Sequence, residues 1–172
     1  MSRTPKSSPI VATYLYDGKR LYDNIEFTDI AYTPKTVTIT TAGGDIDIPI
    51  PNLSDNLQFG VHPTAKDGDV TTLIKPGTHK HEFRWATLYV DPSTKSQKYV
   101  VNKVIAHAVY AGNDQDSIKP GDNIESNYSF NVLDYQYFVG KNRTPQIEID
   151  KITGTLKIDG KDYTNDIFKL IA

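Results

Sequence analysis

His79 and His81 are separated by a single residue, a spacing at which two imidazoles could bind the same ligand. On a strand, residues i and i+2 lie on the same face, so both imidazoles could approach one metal ion. A metal site needs a third or fourth ligand, and the neighbouring carboxylate of Glu82 would point to the opposite face. We therefore expect solvated loop histidines. His62 and His107 have no local partner.

A second candidate is an acidic loop. Asp114, Asp116 and Asp122, together with Asn113 and Asn123, supply the oxygen ligands that calcium prefers. The twelve-residue spacing of a calcium-binding loop and its terminal glutamate are absent. We expect this loop to be solvated, and we predict no metal site in the chain.

Motifs that would indicate catalysis are also missing. The sequence has no Gly-x-Ser-x-Gly, no phosphate-binding loop, no His-Glu-x-x-His and no Gly-x-Gly-x-x-Gly. It has no cysteine, which excludes thiol catalysis, disulfide scaffolds and thiolate zinc sites. We predict that the protein is not an enzyme and holds no cofactor.

Composition favours a single all-β domain. The chain has 172 residues, 19 Lys and Arg against 21 Asp and Glu, and a formal net charge of −2, which excludes a dedicated cationic nucleic-acid binder. Tyr, Thr, Val and Ile dominate, and Gly and Pro are scattered as turn residues. No apolar stretch approaches the ~20 residues of a membrane span. The polar N-terminus predicts a flexible arm over residues 1–9, not a signal peptide, and one domain over residues 10–172.

Two hairpins are predicted in the first third of the chain. Asp17-Gly18 favours a tight turn after a strand over Ile10–Tyr16. Thr36–Ile50 alternates apolar and polar residues around a glycine tip, which predicts a second hairpin. Pro49 and Pro51 are expected to prevent regular internal pairing at the end of this segment. A one- or two-turn helix or a loop is predicted within Gly60–Pro76, followed by a strand over Glu82–Val90.

Two long strands are the most unusual prediction. Lys98–Tyr110 and Glu125–Val139 would each extend on the order of 40 Å at about 3.3 Å per residue. The alternation in the second strand changes phase near Val132-Leu133, which predicts a bulge. Strands of this length are hard to cover inside a small monomer, and closing a ring of identical subunits would remove their open edges. The candidate inter-subunit positions on these strands are Lys103, Ile105, His107, Asn127, Ser129 and Asn131.

Four groups of short motifs occur in order from about residue 13 onward. They are Tyr14–Gly18 followed by Leu21–Ile25; Ala42–Gly44 running into Ile46–Ile48; the long strand to Tyr110, then Lys119–Asp122 and the strand from Glu125; and Tyr135–Tyr137, Glu148–Asp150 and Asp159–Asp162. Each motif alone is turn or strand chemistry, but their order and spacing resemble the major tail tube proteins of contractile-tailed bacteriophages and the related R-type tailocins.

The resemblance implies a β-sandwich or barrel with one short flanking helix. It implies hexameric rings whose strands close a continuous inner β-barrel, stacked into a hollow tube through which phage DNA passes. The implied partners are other copies of the chain, a sheath protein, and tape-measure, baseplate and terminator proteins. The implied location is the virion tail, assembled in the host cytoplasm, with no membrane insertion.

By the same resemblance, the second hairpin contacts the next ring. The candidate stacking residues are Thr41, Ala42, Gly43, Gly44, Asp45, Ile46, Asp47 and Ile48. Two other functions stay open: a carbohydrate- or surface-binding β-sandwich, suggested by the many tyrosines, and the tube protein of a contractile secretion system.

Overall fold

The structure is a computed structural model that describes residues 6–23, 25–63, 69–114, 119–121 and 126–164. Antiparallel strands dominate this part of the chain, accompanied by one short helix, which confirms the all-β prediction. The strands are β1 (Lys6–Tyr16), β2 (Lys19–Asp23), β3 (Glu26–Thr28), β4 (Pro34–Thr41), β5 (Gly44–Ser54), β6 (Gln58–His62), β7 (Thr78–Val90), β8 (Gln97–Asn113), β9 (Tyr128–Val139), β10 (Ile147–Asp150), β11 (Thr155–Ile158) and β12 (Lys161–Asp162), and the helix is α1 (Val70–Leu73).

Ten of the strands form one antiparallel sheet. Its main path runs β12-β11-β10-β9-β8-β7-β1-β2, while β6 pairs with β9 and β3 pairs with β6. The β3–β6 pair folds over one face of the main path, since Phe27 of β3 stacks on Phe83 of β7 with 4.2 Å between ring centroids. The β4–β5 hairpin forms a separate two-stranded sheet.

The core lies between the β3–β6 layer and the covered face of β1, β7, β8 and β9. Its centre is aromatic: Phe59 stacks on Phe130 at 5.1 Å, and Tyr14 stacks on Phe83 at 4.7 Å. Strict alternation along β8 puts Val104, Ala106 and Ala108 into this core and leaves the residues between them half-exposed. Small residues on β8 leave room for the rings contributed by the neighbouring strands.

The structure contains both the predicted turn after β1 and the predicted bulge in β9. Asp17 and Gly18 both have positive φ, 48° and 80°, as a two-residue turn between twisted strands requires. The register between β8 and β9 passes from His107↔Asp134 to Ala108↔Val132, so Leu133 is the extra residue of a bulge. The bulge confirms the change of phase that the sequence predicts there.

The expectation about the prolines of the second hairpin is wrong for Pro49 and confirmed for Pro51. β5 continues through Pro49 and Pro51, and Pro49 is paired with Thr36 of β4. The reason is that both strands of a two-stranded sheet are edge strands, where a missing N–H is tolerated. Pairing becomes irregular between the pairs Lys35↔Ile50 and Pro34↔Ser54, where Pro51 lies in the register shift.

Two other predicted segments can be compared with the structure. The predicted helix is present as α1, a single turn that buries Val70 and Leu73, with Asp69 as its N-cap residue. β1 begins at Lys6, so its pairing with β7 extends into the stretch assigned to the arm. Residues 1–5 and 165–172 lie outside the described part, and the division into arm and domain stays a prediction.

Candidate assembly surfaces

The two central histidines belong to β7 rather than to a loop, so the expectation of solvated loop histidines is wrong. His81 is 0% exposed and shares a hydrogen bond of 2.7 Å between its Nδ1 and the Tyr14 hydroxyl. Burial, together with the nearby His79, lowers the pKa of His81 to about 3. His79 Nδ1 lies 2.8 Å from Oδ2 of Asp17. Each imidazole is thus engaged by a different residue of the β1–β2 hairpin.

No metal-binding group emerges from these side chains. Across the five described ranges, no cluster of three or more His, Asp or Glu residues could hold a metal ion. Of the acidic loop, Asp114 accepts a hydrogen bond of 3.1 Å from Nδ2 of Asn127, while Asp116, Asp122 and Asn123 lie outside the described residues.

The β4–β5 hairpin presents an uncovered apolar face. Val37 is paired with Ile48 and Ile39 with Ile46, so the four side chains share one face of the hairpin. They are between 45% and 52% exposed. The opposite face is polar, with Thr38 Oγ1 donating a 2.7 Å hydrogen bond to Asp47. We call the four aliphatic side chains the hairpin apolar face.

The tip of the hairpin is held by its own side chains. Thr41 Oγ1 donates to the carbonyl of Gly44 at 2.7 Å and accepts from the amide of Gly43 at 3.3 Å. Gly44 has a φ of 118°, in the region that favours glycine. All the candidate stacking residues, Thr41 to Ile48, are exposed, and their role in stacking stays a prediction.

Two side chains fasten the base of the hairpin to the body. The Tyr32 hydroxyl donates to the carbonyl of Pro51. The Lys151 ammonium, in the turn after β10, donates to the carbonyl of Ser54 at 2.8 Å, to its hydroxyl at 2.9 Å and to the carbonyl of Asp55 at 3.2 Å. An ammonium has three donors, so these contacts fix the end of β5 and direct the hairpin away from the core.

The uncovered face of the main sheet carries three of the candidate inter-subunit positions: Lys103, Ile105 and His107 are half-exposed residues of β8. His107 Nδ1 lies 2.8 Å from Oδ2 of Asp134 on β9, and Lys103 Nζ lies over the ring of Phe138 at 4.4 Å from its centroid. The pairing of β8 with β9 places Asp134 opposite His107 and Phe138 opposite Lys103.

Other charges on the same face are also paired. Arg84 lies 2.5 Å from Glu82, and Lys157 of β11 lies 3.6 Å from Glu148 of β10. Three cations of this face, Arg84, Lys103 and Lys157, therefore lie beside a carboxylate or an aromatic ring. These contacts reduce the positive charge that the three residues offer to a polyanion.

The remaining candidates face the β6 side of β9. Asn131 Oδ1 accepts hydrogen bonds from Asn56 Nδ2 at 2.7 Å and from Gln58 Nε2 at 2.8 Å. Ser129 is paired with Gly60 of β6 and Gly112 of β8, and Asn127 precedes β9. The backbones of Ser129 and Asn131 thus have partners on both sides within one chain, and any contact with a second copy has to involve their side chains.

No match was found among curated proteins. No helix in the described part of the chain is long and apolar enough to cross a membrane. The family model described as phage tail tube protein FII matches residues 12–171. This match covers nearly the whole chain and confirms the resemblance found in the motifs, so the protein belongs to the phage tail tube protein FII family, whose members are structural components of phage tails.

Proposed function

We propose that the chain assembles into hexameric rings that stack into the hollow tail tube of a contractile phage tail, through which DNA passes into the host. The observation that carries the proposal is the hairpin apolar face, four aliphatic side chains left about half-exposed on a two-stranded sheet. Sheath, tape-measure, baseplate and terminator proteins are the further partners proposed.

An isolated two-stranded hairpin is marginally stable in water, so the β4–β5 hairpin gains from a surface that covers it. Burying a Val or Ile side chain fully contributes roughly 1.5–3 kcal/mol. Within a stack, that surface belongs to a copy in the next ring, because a contact between two different patches repeats along an axis. The fastening of the hairpin base by Lys151 supports this role, because it directs the hairpin outward.

The uncovered face of β8 is proposed to line the lumen. A conduit for DNA must not bind it firmly, since each Lys or Arg placed on a phosphate adds to a salt-dependent attachment. The pairs Arg84–Glu82 and His107–Asp134, and the position of Lys103 over Phe138, support a lumen of weak affinity.

The distribution of tyrosines favours a tube protein over a carbohydrate-binding sandwich. A glycan site needs exposed aromatic faces that lie together. Tyr14, Tyr16, Tyr128 and Tyr135 are buried, and the exposed Tyr99 and Tyr163 lie on separate elements, in β8 and after β12. Tyr135 donates its hydroxyl to the carboxylate of Asp29 at 3.0 Å, which is a structural contact. A secretion-system tube shares the proposed architecture, and neighbouring genes for tape-measure and sheath proteins would distinguish it.

The test is the double variant Ile46→Asp with Ile48→Asp. We expect a folded subunit that no longer elongates into tubes, because two carboxylates would have to be desolvated in the stacking contact. The matched control is Thr36→Asp with Thr40→Asp, on the polar face of the same hairpin. Negative-stain microscopy measures tube length, and thermal unfolding checks the fold. Full-length tubes from the Ile46/Ile48 variant would contradict the stacking assignment.

A further inference from the structure

Two strand edges at one end of the main sheet have no partner strand in the described part of the chain. β2 pairs with β1 only from Thr13 onward, so the outer edge of residues 6–12 is open. β9 pairs with β8 only from Asn102 onward, so the outer edge of residues 97–101 is open as well. Backbone N–H and C=O groups on open edges favour pairing with a further chain.

The two edges flank the same stretch of β7. Val11 of β1 and Val101 of β8 are both paired with Ala86, one on each side. β1, β7 and β8 therefore form a three-stranded extension of the sheet. Its two outer edges, one on β1 and one on β8, have no partner strand among the described residues. Two different open edges on one chain form a head-to-tail contact, which closes into a ring when it repeats with rotation.

Apolar side chains are exposed on both edges. Val11 is 49% exposed on β1, and Val101 and Tyr99 are 50% and 63% exposed on β8. Alternation puts Val11 and Val101 on the uncovered face of the sheet, because Ala12, Trp85 and Asn102 point to the other face. The edges thus match in chemistry and in the side on which their apolar residues lie.

A shallow groove of about 310 Å³ runs along the open edge of β1 and is lined by Pro9, Ile10, Val11, Ala12, Ile25 and Glu26. The exposed carboxylate of the groove, Glu26, belongs to β3, in the layer that covers the core face. On β8, Lys98 has the same parity as Asn102 and so projects toward that layer. A cation on one edge therefore matches a carboxylate at the other.

We propose that residues 97–101 of one copy lie along β1 of the next copy, in this groove, and so close the ring. This inference rests on the proposed function. β1 and β8 are both antiparallel to β7, so they are parallel to each other within one chain. Rotation about the ring axis preserves strand direction, so β8 of one copy also runs parallel to β1 of the next copy. Pro9 and the two register shifts in β1 interrupt a regular ladder, so side-chain contacts in the groove hold the seam.

Cross-linking tests the seam directly, because the chain has no native cysteine. In the double variant Val11→Cys with Val101→Cys, oxidation to disulfides is expected to give a ladder of products that ends at the hexamer. The two positions of one chain lie on either side of Ala86, about 9.6 Å apart, which is too far for a disulfide within the subunit. Either single variant alone stays uncross-linked. The control pair is Val11→Cys with Ile158→Cys, since Ile158 is an exposed aliphatic residue of β11 far from the extension. Absence of the ladder in assembled tubes overturns the seam.

A charge exchange gives an independent readout. Glu26→Lys and Lys98→Glu are each expected to reduce the ring fraction in sedimentation velocity at least several-fold, and the two together to restore it. Loss in both single variants without recovery in the double variant contradicts the pairing. The seam and the proposed function fail separately: tubes of the Val11→Cys/Val101→Cys variant that give no cross-linked ladder reject the seam alone, whereas a wild-type chain that forms neither rings nor tubes rejects the proposed function.

Discussion

The β4–β5 hairpin and the aromatic core are built from the same alternation of apolar and polar residues, yet they end in opposite environments. In the core, Phe83 and Phe130 are covered by the β3–β6 layer and are almost fully buried. In the hairpin, Ile39 and Ile46 are paired across the strands and stay about half-exposed. The difference lies in the covering layer, not in the strand pattern.

This comparison separates two kinds of stabilisation. The core residues stabilise the subunit itself, because their burial is complete within one chain. The hairpin apolar face adds little to the subunit and is buried only when another copy covers it. Substitutions in the core should therefore lower the stability of the subunit, whereas substitutions in the hairpin apolar face should impair assembly.

The largest effect is expected in the core. Phe130 is 1% exposed, so Phe130→Ala should lower the free energy of unfolding by about 3–5 kcal/mol, through lost burial and a residual cavity. The hairpin counterpart, Ile39→Ala, should change it by less than about 0.5 kcal/mol, because Ile39 is already exposed to water. Chemical denaturation of both subunits measures the contrast. Equal losses at the two positions would show that the hairpin is part of the subunit core.

A smaller loss of subunit stability is expected at acidic pH, because the core contains the buried His81. His81 is neutral when folded, with a pKa of about 3 against an ordinary value of 6.5. The unfolded chain binds a proton below 6.5, so the full stability is present above that pH and is lost as the pH falls toward 3. Between pH 7 and pH 5 the loss should be about 2 kcal/mol.

Other groups near His81 must be separated from it. Tyr14 and Tyr16 on β1, His79 on the same strand, Asp17 in the turn and His107 on β8 all act on its charge or pack against it. The matched control replaces Tyr14 and His81 together by phenylalanine, which leaves no buried polar atom unpaired in that hydrogen bond. Denaturation of this variant should be about 2 kcal/mol less sensitive to pH over the same range, and an unchanged sensitivity would rule out His81 as the source.

Much of the architecture could be predicted because it depends on neighbouring residues. The Asp17-Gly18 turn, the hairpin around Gly43 and the bulge at Leu133 follow from turn chemistry and from alternation. Burial of His81 could not be predicted in the same way, since its partner Tyr14 is 67 residues away in sequence. A local signal did exist, because His81 continues the face of Phe83 and Trp85.

The candidate site was predicted unevenly for the same reason. The exposed hairpin could be identified from Val37, Ile39, Ile46 and Ile48, whose alternation is local. The contact that fastens the base of the hairpin could not be predicted, because Lys151 is 97 residues from Ser54 in sequence. The open edges of β1 and β8 depend on where β2 and β9 begin to pair, which composition and periodicity do not specify.

The central claim is that the hairpin and the open edges are covered only in the assembly. Amide hydrogen exchange on the isolated subunit and on the assembled tube tests it most directly. We predict strong added protection over residues 34–54 and 97–101 in the tube, and none in the core segments 102–108 and 128–132. Equal exchange of the hairpin in both forms, in tubes verified by microscopy, would contradict the account.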